Sequence, residues 1–324
     1  MKEVFDIISI GDTTLDVFLD IDEASVSCEI NKKNCRLCVN YADKIPVNKV
    51  TKIPGVGNAA NFAVGSSRLG LKTALYTILG KDETGKEIYS HLKKEGVAPD
   101  YIQIDKTKGT NYSVVLNYMG ERTIFVFHEH RNYKLPKLKK AKWIYFTSLA
   151  AGHKTLHKSI TDFVKKNKIK LVFNPGTFQL KEGLKVLRQI MKHCTLFIVN
   201  KEEAQRLVGS FNDIKKLLKL LKKEGSEIVV ITDGPKGSHA FDGEKFYFQE
   251  IYDIKVVERT GCGDSYSTGF IAALVQGKSI QEAMRWGTVN AAFVLRKIGA
   301  QEGLLKKKDL LKKLKRSFKL IQAS

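Results

Sequence analysis

An aspartate stands in a glycine-rich turn between a predicted strand and an apolar predicted helix. The turn reads Gly261-Cys262-Gly263-Asp264. Glycines let the backbone approach a ligand closely, and a helix N-terminus offers unpaired N–H groups, so this turn is suited to bind an anion. A carboxylate beside such an anion hole fits phosphoryl transfer, with Asp264 as general base for an attacking hydroxyl and the turn's N–H groups holding the developing negative charge. By position alone, Asp264 is equally an ordinary helix N-cap.

The elements that would position this turn alternate between strands and helices. From about residue 140, strands are predicted at 143–146, 171–174, 196–200 and 227–232, with amphipathic helices between them. This alternation predicts a mostly parallel sheet covered by helices on both faces, whose ligands bind at the carboxyl ends of the strands. Polar or turn residues follow the predicted strands, namely Ile10-Gly11-Asp12, Thr147-Ser148, Asn174-Pro175-Gly176, Asn200-Lys201 and Thr232-Asp233-Gly234.

Two segments, 13–52 and 106–127, interrupt the alternation with strand-like stretches and polar turns. We expect them to form one small, discontinuous β-sheet, a lid over the strand ends, while 1–12, 53–105 and 128–324 form the α/β core. Because exposed strand edges seek pairing, the lid could also join two copies in a homodimer. Helices predicted at 281–297 and 304–320 would complete the core.

The composition limits the class of protein. Among 324 residues, 55 Lys and Arg stand against 34 Asp and Glu, a formal net charge of +21, and 43% of the residues are hydrophobic. This apolar fraction excludes a disordered chain. The longest apolar stretches reach about half of the roughly 20 residues that a membrane span needs, and the first residues are acidic where a signal peptide is basic. We therefore expect a cytoplasmic protein with no membrane partner.

The positive charge permits nucleic-acid binding, but its distribution argues against it. Lysines recur along the predicted helices at 214–225 and 304–320, opposite a leucine face, as they do on solvated helix surfaces. Steering of an anionic substrate is a second use of such charge. A basic nucleic-acid-binding protein therefore stays a remote alternative.

Three cysteines, Cys28, Cys35 and Cys38, follow one another at spacing C-x6-C-x2-C in a polar segment. The C-x2-C step occurs in zinc sites, which usually have four ligands, and His128 or His130 could add the fourth. The alternative is three reduced thiols in a loop or hairpin, because an odd cysteine count argues against a disulfide framework.

The segment around Asp264 resembles the C-terminal signature of the ribokinase (PfkB) family of sugar and nucleoside kinases, and further matches follow in the family's order along nearly the whole chain. The resemblance implies a ribokinase-like α/β fold with a β-sheet lid. It also implies an ATP-dependent, Mg²⁺-requiring transfer of the γ-phosphoryl group to a hydroxyl of a small sugar such as ribose, fructose or a related sugar phosphate.

The resemblance places substrate-binding residues in two segments. Residues 11–16 resemble the family's first strand end, so Asp16 would hold sugar hydroxyls, with Asp12 beside it in the same site. Residues 55–61 resemble the family's N-terminal signature. The residues of that signature that would line the sugar are Gly57, Asn58 and Asn61.

Other matches concern the nucleotide and the metal. Asn200 and Glu203 fit an N-x-x-E motif that would order Mg²⁺ and phosphate through water, although the same spacing also fits a helix-capping pair. Residues 232–237 resemble the nucleotide-binding strand end, and 286–290 and 299–301 resemble the helix and turn that close on adenine. The nucleotide-binding candidates are Asn200, Thr232, Gly234, Gly237 and Asn290.

Two positions depart from the family pattern. Glu258 and Arg259 stand where Asp and Thr are usual, immediately before the anion hole. This difference counts against the monovalent-cation (K⁺) site of the family. The cysteine cluster also lies outside the family pattern.

Two further interpretations concern the substrate. Arg131 follows the second lid segment and could hold a phosphate or carboxylate bidentately, with a surface arginine as the alternative. Aromatic residues of the lid, Phe18, Tyr112 and Tyr118, could stack on a base. A nucleoside kinase of the same fold is therefore the alternative function.

Overall fold

The computed structural model describes residues 4–29, 35–315 and 320–321. The strands are β1 (Phe5–Ile10), β2 (Thr14–Asp20), β3 (Ser25–Cys28), β4 (Cys35–Cys38), β5 (Lys49–Val56), β6 (Thr73–Gly80), β7 (Ala98–Asp105), β8 (Asn111–Tyr118), β9 (Glu121–Phe127), β10 (Ala141–Phe146), β11 (Lys170–Phe173), β12 (Leu196–Asn200), β13 (Ile228–Thr232), β14 (Ser238–Phe241), β15 (Phe246–Gln249) and β16 (Leu320–Ile321). The helices are α1 (Asn58–Arg68), α2 (Glu83–Lys94), α3 (Lys154–Asn167), α4 (Thr177–Leu180), α5 (Leu184–Met191), α6 (Lys201–Val208), α7 (Ile214–Lys222), α8 (Cys262–Val275), α9 (Ile280–Val294) and α10 (Lys307–Leu314).

Ten strands form the central sheet in the order β16-β15-β14-β13-β12-β11-β10-β1-β6-β7. The strands from β13 to β7 are parallel to their neighbours, and β14 to β16 add an antiparallel edge. Side chains of β10 alternate between two buried clusters, because successive residues of a strand point to opposite faces. Ile144 and Phe146 pack with α3, α5 and α7, whereas Trp143 and Tyr145 pack with α8 and α9. The predicted fold class is confirmed.

A separate four-stranded sheet has the order β5-β2-β8-β9, and we refer to it as the lid sheet or lid. Strands β2 and β8 are parallel, and each pairs antiparallel with its outer neighbour. The sheet thus combines chain segments that are far apart in sequence, as the register of Asp16 opposite Ser113, 97 residues later, shows. Strand β9 ends the sheet, with four exposed apolar side chains: Ile124, Phe125, Val126 and Phe127.

A short hairpin of β3 and β4 extends from the lid segment. Its antiparallel register places Cys28 opposite Cys35, with Cα atoms 4.0 Å apart, and the two form a disulfide. Cys38 is an exposed free thiol. The predicted zinc cluster and the alternative of three reduced thiols are therefore both wrong, because a single bridge within one hairpin uses two of the three sulfurs.

The C-terminal part differs from its prediction. The expected helix 304–320 is shorter, since α10 is Lys307–Leu314 and Leu320–Ile321 pairs with β15 as an edge strand. Residues 316–319 lie outside the described part of the chain. No helix among the described residues is long and apolar enough to cross a membrane.

Candidate active site

A polar cavity of about 320 Å³ lies at the carboxyl ends of neighbouring parallel strands. This is the position where α/β sheets bind their ligands. The residues that follow β10 to β13 meet the N-terminus of α8 there. The cavity is lined by Asn58, Arg122, Ser148, Asn174, Asn200, Glu203, Thr232, Arg259, Gly261, Cys262, Gly263, Asp264 and Ser267, among others.

The turn before α8 brings backbone N–H groups to this cavity. Gly261 has φ of 74°, and a Cβ there would lie 2.4 Å from the Cβ of Ala300, so only glycine fits. The first N–H groups of a helix have no partner within the helix and carry its positive dipole end. Burial and the charge of Asp264 raise the pKa of Cys262 to about 11, so its thiol stays protonated at neutral pH.

Asp264 is buried in the first turn of α8 and is oriented by a chain of amides. Its Oδ2 accepts a hydrogen bond from Asn61 Nδ2 at 2.8 Å. Gln301 Nε2 donates to Asn61 Oδ1 at 3.0 Å, which fixes the Asn61 amide with its nitrogen toward the carboxylate. Burial raises the pKa of Asp264 to about 6. The group is therefore mostly ionised at pH 7 and basic enough to take a proton from a bound hydroxyl.

The other predicted sugar-binding residues differ in their relation to this cavity, whose lining includes Asn58 but not Gly57 or Asp16. Gly57 precedes α1 with φ of 100°, and a Cβ there would lie 3.0 Å from the carbonyl oxygen of Asp12. Burial raises the pKa of Asp16 to about 6, with a hydrogen bond from the Ser113 hydroxyl opposing the shift and the nearby charge of Glu258 adding to it.

Asn200 and Glu203 form a capping box at the start of α6. Glu203 N donates to Asn200 Oδ1 at 2.8 Å, and Asn200 N donates to Glu203 Oε2 at 2.9 Å. Both residues also line the polar cavity, and burial raises the pKa of Glu203. The capping interpretation is therefore confirmed, and the same two residues also line the cavity. Carboxylate and amide oxygens fit Mg²⁺, which usually keeps several waters.

A second cavity of about 350 Å³ adjoins the first and is mostly apolar. The predicted nucleotide residues Thr232, Gly234 and Gly237 line it. Its remaining wall includes Ile251, Tyr252, Val256, Ala291, Ala292 and Leu295. The two cavities share four residues: Thr232, Arg259, Cys262 and Gly263. The N-terminus of α8, at Cys262 and Gly263, thus lies between an apolar and a polar cavity.

Three predicted site residues have other roles in the structure. The Asn290 amide donates to Ser265 O and accepts from Leu305 N, so it joins α8 to α9 instead of facing the nucleotide cavity. Arg131 is buried with NH1 2.8 Å from Asp105 Oδ2, and NH2 donates to Gly109 O, so its guanidinium is bound within the protein.

Asp12 is likewise engaged within the protein. Its carboxylate accepts hydrogen bonds from the Tyr133 hydroxyl at 2.8 and 2.9 Å and from Ala150 N at 2.8 Å. These contacts anchor the segment before β10, through Tyr133, and the loop after β10, through Ala150, to the end of β1. We therefore leave Asp12, Arg131 and Asn290 out of the proposed chemistry.

Sequence reasoning missed an ion pair at the entrance to the site. Arg122 NH1, from the lid strand β9, donates to Glu258 Oε1 at 2.7 Å and lines the polar cavity. The Glu258 carboxylate also accepts from Thr260 N at 2.6 Å and Gly299 N at 2.9 Å. The lid is thereby joined to the loop that carries the anion hole. Ser148 and Asn174 were missed too, although both belong to the strand ends at which ligands were expected.

A buried carboxylate at a helix N-terminus, beside a polar cavity that adjoins an apolar one, suits phosphoryl transfer to an alcohol. The chain belongs to the pfkB family of carbohydrate kinases, whose family model matches residues 19–307. It is accordingly a sugar or nucleoside kinase of that family and a phosphotransferase with an alcohol group as acceptor.

Individual proteins agree with this assignment. The chain is 27% identical to an uncharacterized sugar kinase of Archaeoglobus fulgidus, over 76% of this chain and 100% of the relative. It is 26% identical to the 5-dehydro-2-deoxygluconokinase of Bacillus subtilis, over 76% of this chain and 82% of that enzyme. The structure of Arabidopsis thaliana ribokinase with ribose and ATP has a TM-score of 0.81 at 22% identity, covering 97% of this chain and 100% of the other. The nucleoside kinase of Methanocaldococcus jannaschii has a TM-score of 0.78 at 21% identity, covering 96% and 98%.

Proposed function

We propose that this protein transfers the γ-phosphoryl group of ATP to a hydroxyl of a small sugar or sugar phosphate. The observation that carries the proposal is the position of Asp264, buried in the first turn of α8, where the polar and apolar cavities share the wall formed by Cys262 and Gly263. A base and an anion hole at one point, with room for one reactant on each side, are the requirements of a direct phosphoryl transfer.

The proposed step begins with Asp264 taking the proton of the substrate hydroxyl. The hydroxyl oxygen forms a bond to the γ-phosphorus, the bond from that phosphorus to the bridging oxygen breaks, and ADP leaves with the bridging electron pair. The N–H groups of Gly261, Cys262 and Gly263 stabilise negative charge on the transferred group. Mg²⁺, when bound, neutralises phosphate charge, and Asn200 and Glu203 would hold it through water.

The nucleotide would occupy the apolar cavity, with its base among Val256, Ala292 and Leu295 and its phosphates directed at the anion hole. Arg259 lines both cavities and adds positive charge where the phosphates would pass. The sugar would occupy the polar side, near Asp16 and Asn58. Closure of the lid over this side would exclude water, so that ATP is not hydrolysed instead.

We infer that a monovalent cation is not bound by the Glu258 carboxylate. Both of its oxygens accept hydrogen bonds, Oε1 from Arg122 and Thr260 and Oε2 from Gly299. The Arg122 guanidinium supplies the positive charge next to this carboxylate. Turnover is therefore expected to be the same in potassium and in choline buffers of equal ionic strength.

The positions of the three lid aromatics favour a sugar over a nucleoside as the substrate. Phe18 is buried within the protein, and the Tyr118 hydroxyl donates to Ala24 O at 2.6 Å, so both are engaged elsewhere. Tyr112 is the exposed member of the three. Two of the three lid aromatics are therefore not available to stack on a nucleoside base.

A substrate panel tests the proposal. ADP release with ATP and Mg²⁺ is measured for ribose, fructose, fructose 6-phosphate, 2-keto-3-deoxygluconate, 5-dehydro-2-deoxygluconate, adenosine, inosine and cytidine, each with the Asp264→Asn protein as control. We expect turnover with a sugar that disappears in the variant. Turnover with a nucleoside alone would select the alternative, and sugar turnover that survives Asp264→Asn would remove Asp264 from the mechanism.

We also propose that the lid edge joins two copies of the chain. Strand β9 has a free side in the described sheet order, and Phe125 and Phe127 are exposed on it. Unpaired strand edges with apolar side chains are sites of association. Light scattering is expected to give a dimer mass for the wild type and a monomer mass for Phe125→Lys, whereas a monomeric wild type would contradict the proposal.

A further inference from the structure

Two buried histidines and one partly buried glutamate lie together at the start of α3, outside the two cavities described above. His153 precedes α3, His157 lies in its first turn, and Glu182 follows α4. One ligand-capable atom from each residue, an imidazole nitrogen or a carboxylate oxygen, lies within 4.8 Å of the other two. His153 Nε2 and Glu182 Oε2 are 3.4 Å apart.

Each of these three side chains has a buried polar atom without a hydrogen-bond partner among the described residues. His153 Nε2, His157 Nε2 and Glu182 Oε2 are all buried, and none has a hydrogen-bond partner in the described part of the chain. The two histidines are 3% and 6% exposed. Buried polar atoms are nearly always paired, since each unsatisfied one costs about 1–3 kcal/mol. A single cation between them would satisfy all three.

The orientation of His153 supports a metal ligand. Its Nδ1 lies 2.7 Å from the carbonyl oxygen of Ala150. A carbonyl can only accept, so Nδ1 carries the proton, and in the neutral imidazole Nε2 has the lone pair and lies 3.4 Å from Glu182 Oε2. Metal-binding histidines are commonly fixed in this way by a backbone carbonyl.

We propose that His153, His157 and Glu182 form a Zn²⁺ site. Two imidazoles and one carboxylate are a donor set of zinc proteins, with a water in the fourth position. Imidazole nitrogen favours zinc over Mg²⁺, which prefers oxygen, so this site is chemically distinct from the Mg²⁺ position at Asn200 and Glu203. The 3.4 Å separation of His153 Nε2 and Glu182 Oε2 agrees with the edge of about 3.3 Å expected for tetrahedral bonds of about 2.0–2.1 Å.

The site would support the loop that leads to the active cavity. Ala150 O accepts from His153, and Ala150 N donates to the Asp12 carboxylate. Ser148, two residues earlier, lines the polar cavity. Bound Zn²⁺ would therefore tie α3 and the α4–α5 turn to this loop, as a stabilising ion and not as part of phosphoryl transfer.

Zinc binding to the full chain tests the proposal without any kinase assay. Protein freed of metal by a chelator is titrated with Zn²⁺ against a chromophoric chelator. The background carries Cys28→Ser, Cys35→Ser and Cys38→Ser, so that the lid sulfurs cannot contribute. We expect one Zn²⁺ per chain, at least about 100-fold weaker binding in His157→Gln, and unchanged binding in the control His193→Gln.

Equal zinc affinity in His157→Gln and its background, or no stoichiometric binding in the background protein, would overturn the proposal. Because a substitution in the cluster could prevent folding, Co²⁺ is also added to the chelator-treated wild type. Four-coordinate Co²⁺ on nitrogen and oxygen ligands is expected to give an intense visible absorption that Zn²⁺ displaces. A weak octahedral spectrum would likewise reject the site.

Discussion

The two cavities that meet at the N-terminus of α8 differ in what their walls are made of. The polar cavity contains the carboxylates of Glu203 and Asp264, and burial raises the pKa of both groups. The apolar cavity is formed by side chains such as Ile251, Val256 and Leu295, which offer shape and apolar surface. Groups of the first kind act on charge that develops during reaction, whereas groups of the second kind bind the reactant and the transition state alike.

This difference predicts which kinetic constant a substitution on each side should change. Changes on the polar side should lower kcat, because they remove interactions that strengthen in the transition state. Changes on the apolar side should raise the KM for ATP and leave kcat nearly unchanged. The shared residues Cys262 and Gly263 are where the two effects should combine.

Asp264→Asn should have the largest effect. Loss of the general base is expected to lower kcat about 10²- to 10⁴-fold, with nucleotide affinity by calorimetry unchanged. Asn61 Nδ2 can still donate to the new amide oxygen, and a buried charge is removed, so thermal stability should not fall. Normal turnover would refute the role of Asp264, and lost nucleotide binding would refute the independence of the two cavities.

The pH dependence of kcat/KM should report the ionisation of carboxylates on the polar side. Burial raises the pKa of both Asp264 and Asp16 to about 6. Both must be ionised to act, so kcat/KM should be constant above about pH 7 and fall below pH 6. With each group about one-tenth ionised at pH 5, the loss there is about tenfold per group. Asp16→Asn should reduce the limiting slope of log kcat/KM from two to one, and a slope of two in that variant would contradict its assignment.

Val256→Glu should affect the apolar side alone. Val256 is partly exposed, so the substitution is compatible with the fold, yet it places a negative charge on the nucleotide cavity. We expect the KM for ATP to rise about tenfold, or about 1.4 kcal/mol, with kcat within about twofold. Val257→Glu is the matched control, because Val257 is similarly exposed and is not part of the cavity wall. Equal effects of both substitutions would show a general charge effect.

Features that depend on local sequence were predictable. Strand β12 was expected at 196–200 and is Leu196–Asn200. A short apolar run with polar residues at both ends is enough to predict the bounds of a buried strand. The glycine-containing turn at Gly261 to Gly263 and the start of α8 were also predictable, since the glycines and the apolar helix are contiguous in sequence. The capping box of Asn200 and Glu203 follows from their spacing, although spacing alone could not show that the pair also faces the cavity.

Features that depend on distant partners were not predictable. Arg131 pairs with Asp105 and Asn290 bonds to Ser265, and neither partner follows from local spacing. Arg122 was overlooked because Glu258, its partner, lies 136 residues away in sequence. A strand-end polar residue therefore marks where a site can form, but which of these residues face it depends on long-range packing.

Glu203→Gln should give the smallest effect and separates the two roles of this residue. Glutamine still accepts from Asn200 N, so the capping box and the stability of α6 should be kept, while the charge facing the cavity is lost. If Glu203 orders Mg²⁺ through water, the Mg²⁺ concentration for half-maximal rate should rise, by about tenfold at most, the low end for residues that support a metal indirectly. Glu202→Gln, at the neighbouring exposed position outside the cavity wall, is the control. An unchanged Mg²⁺ dependence in Glu203→Gln would leave Glu203 as a helix cap only.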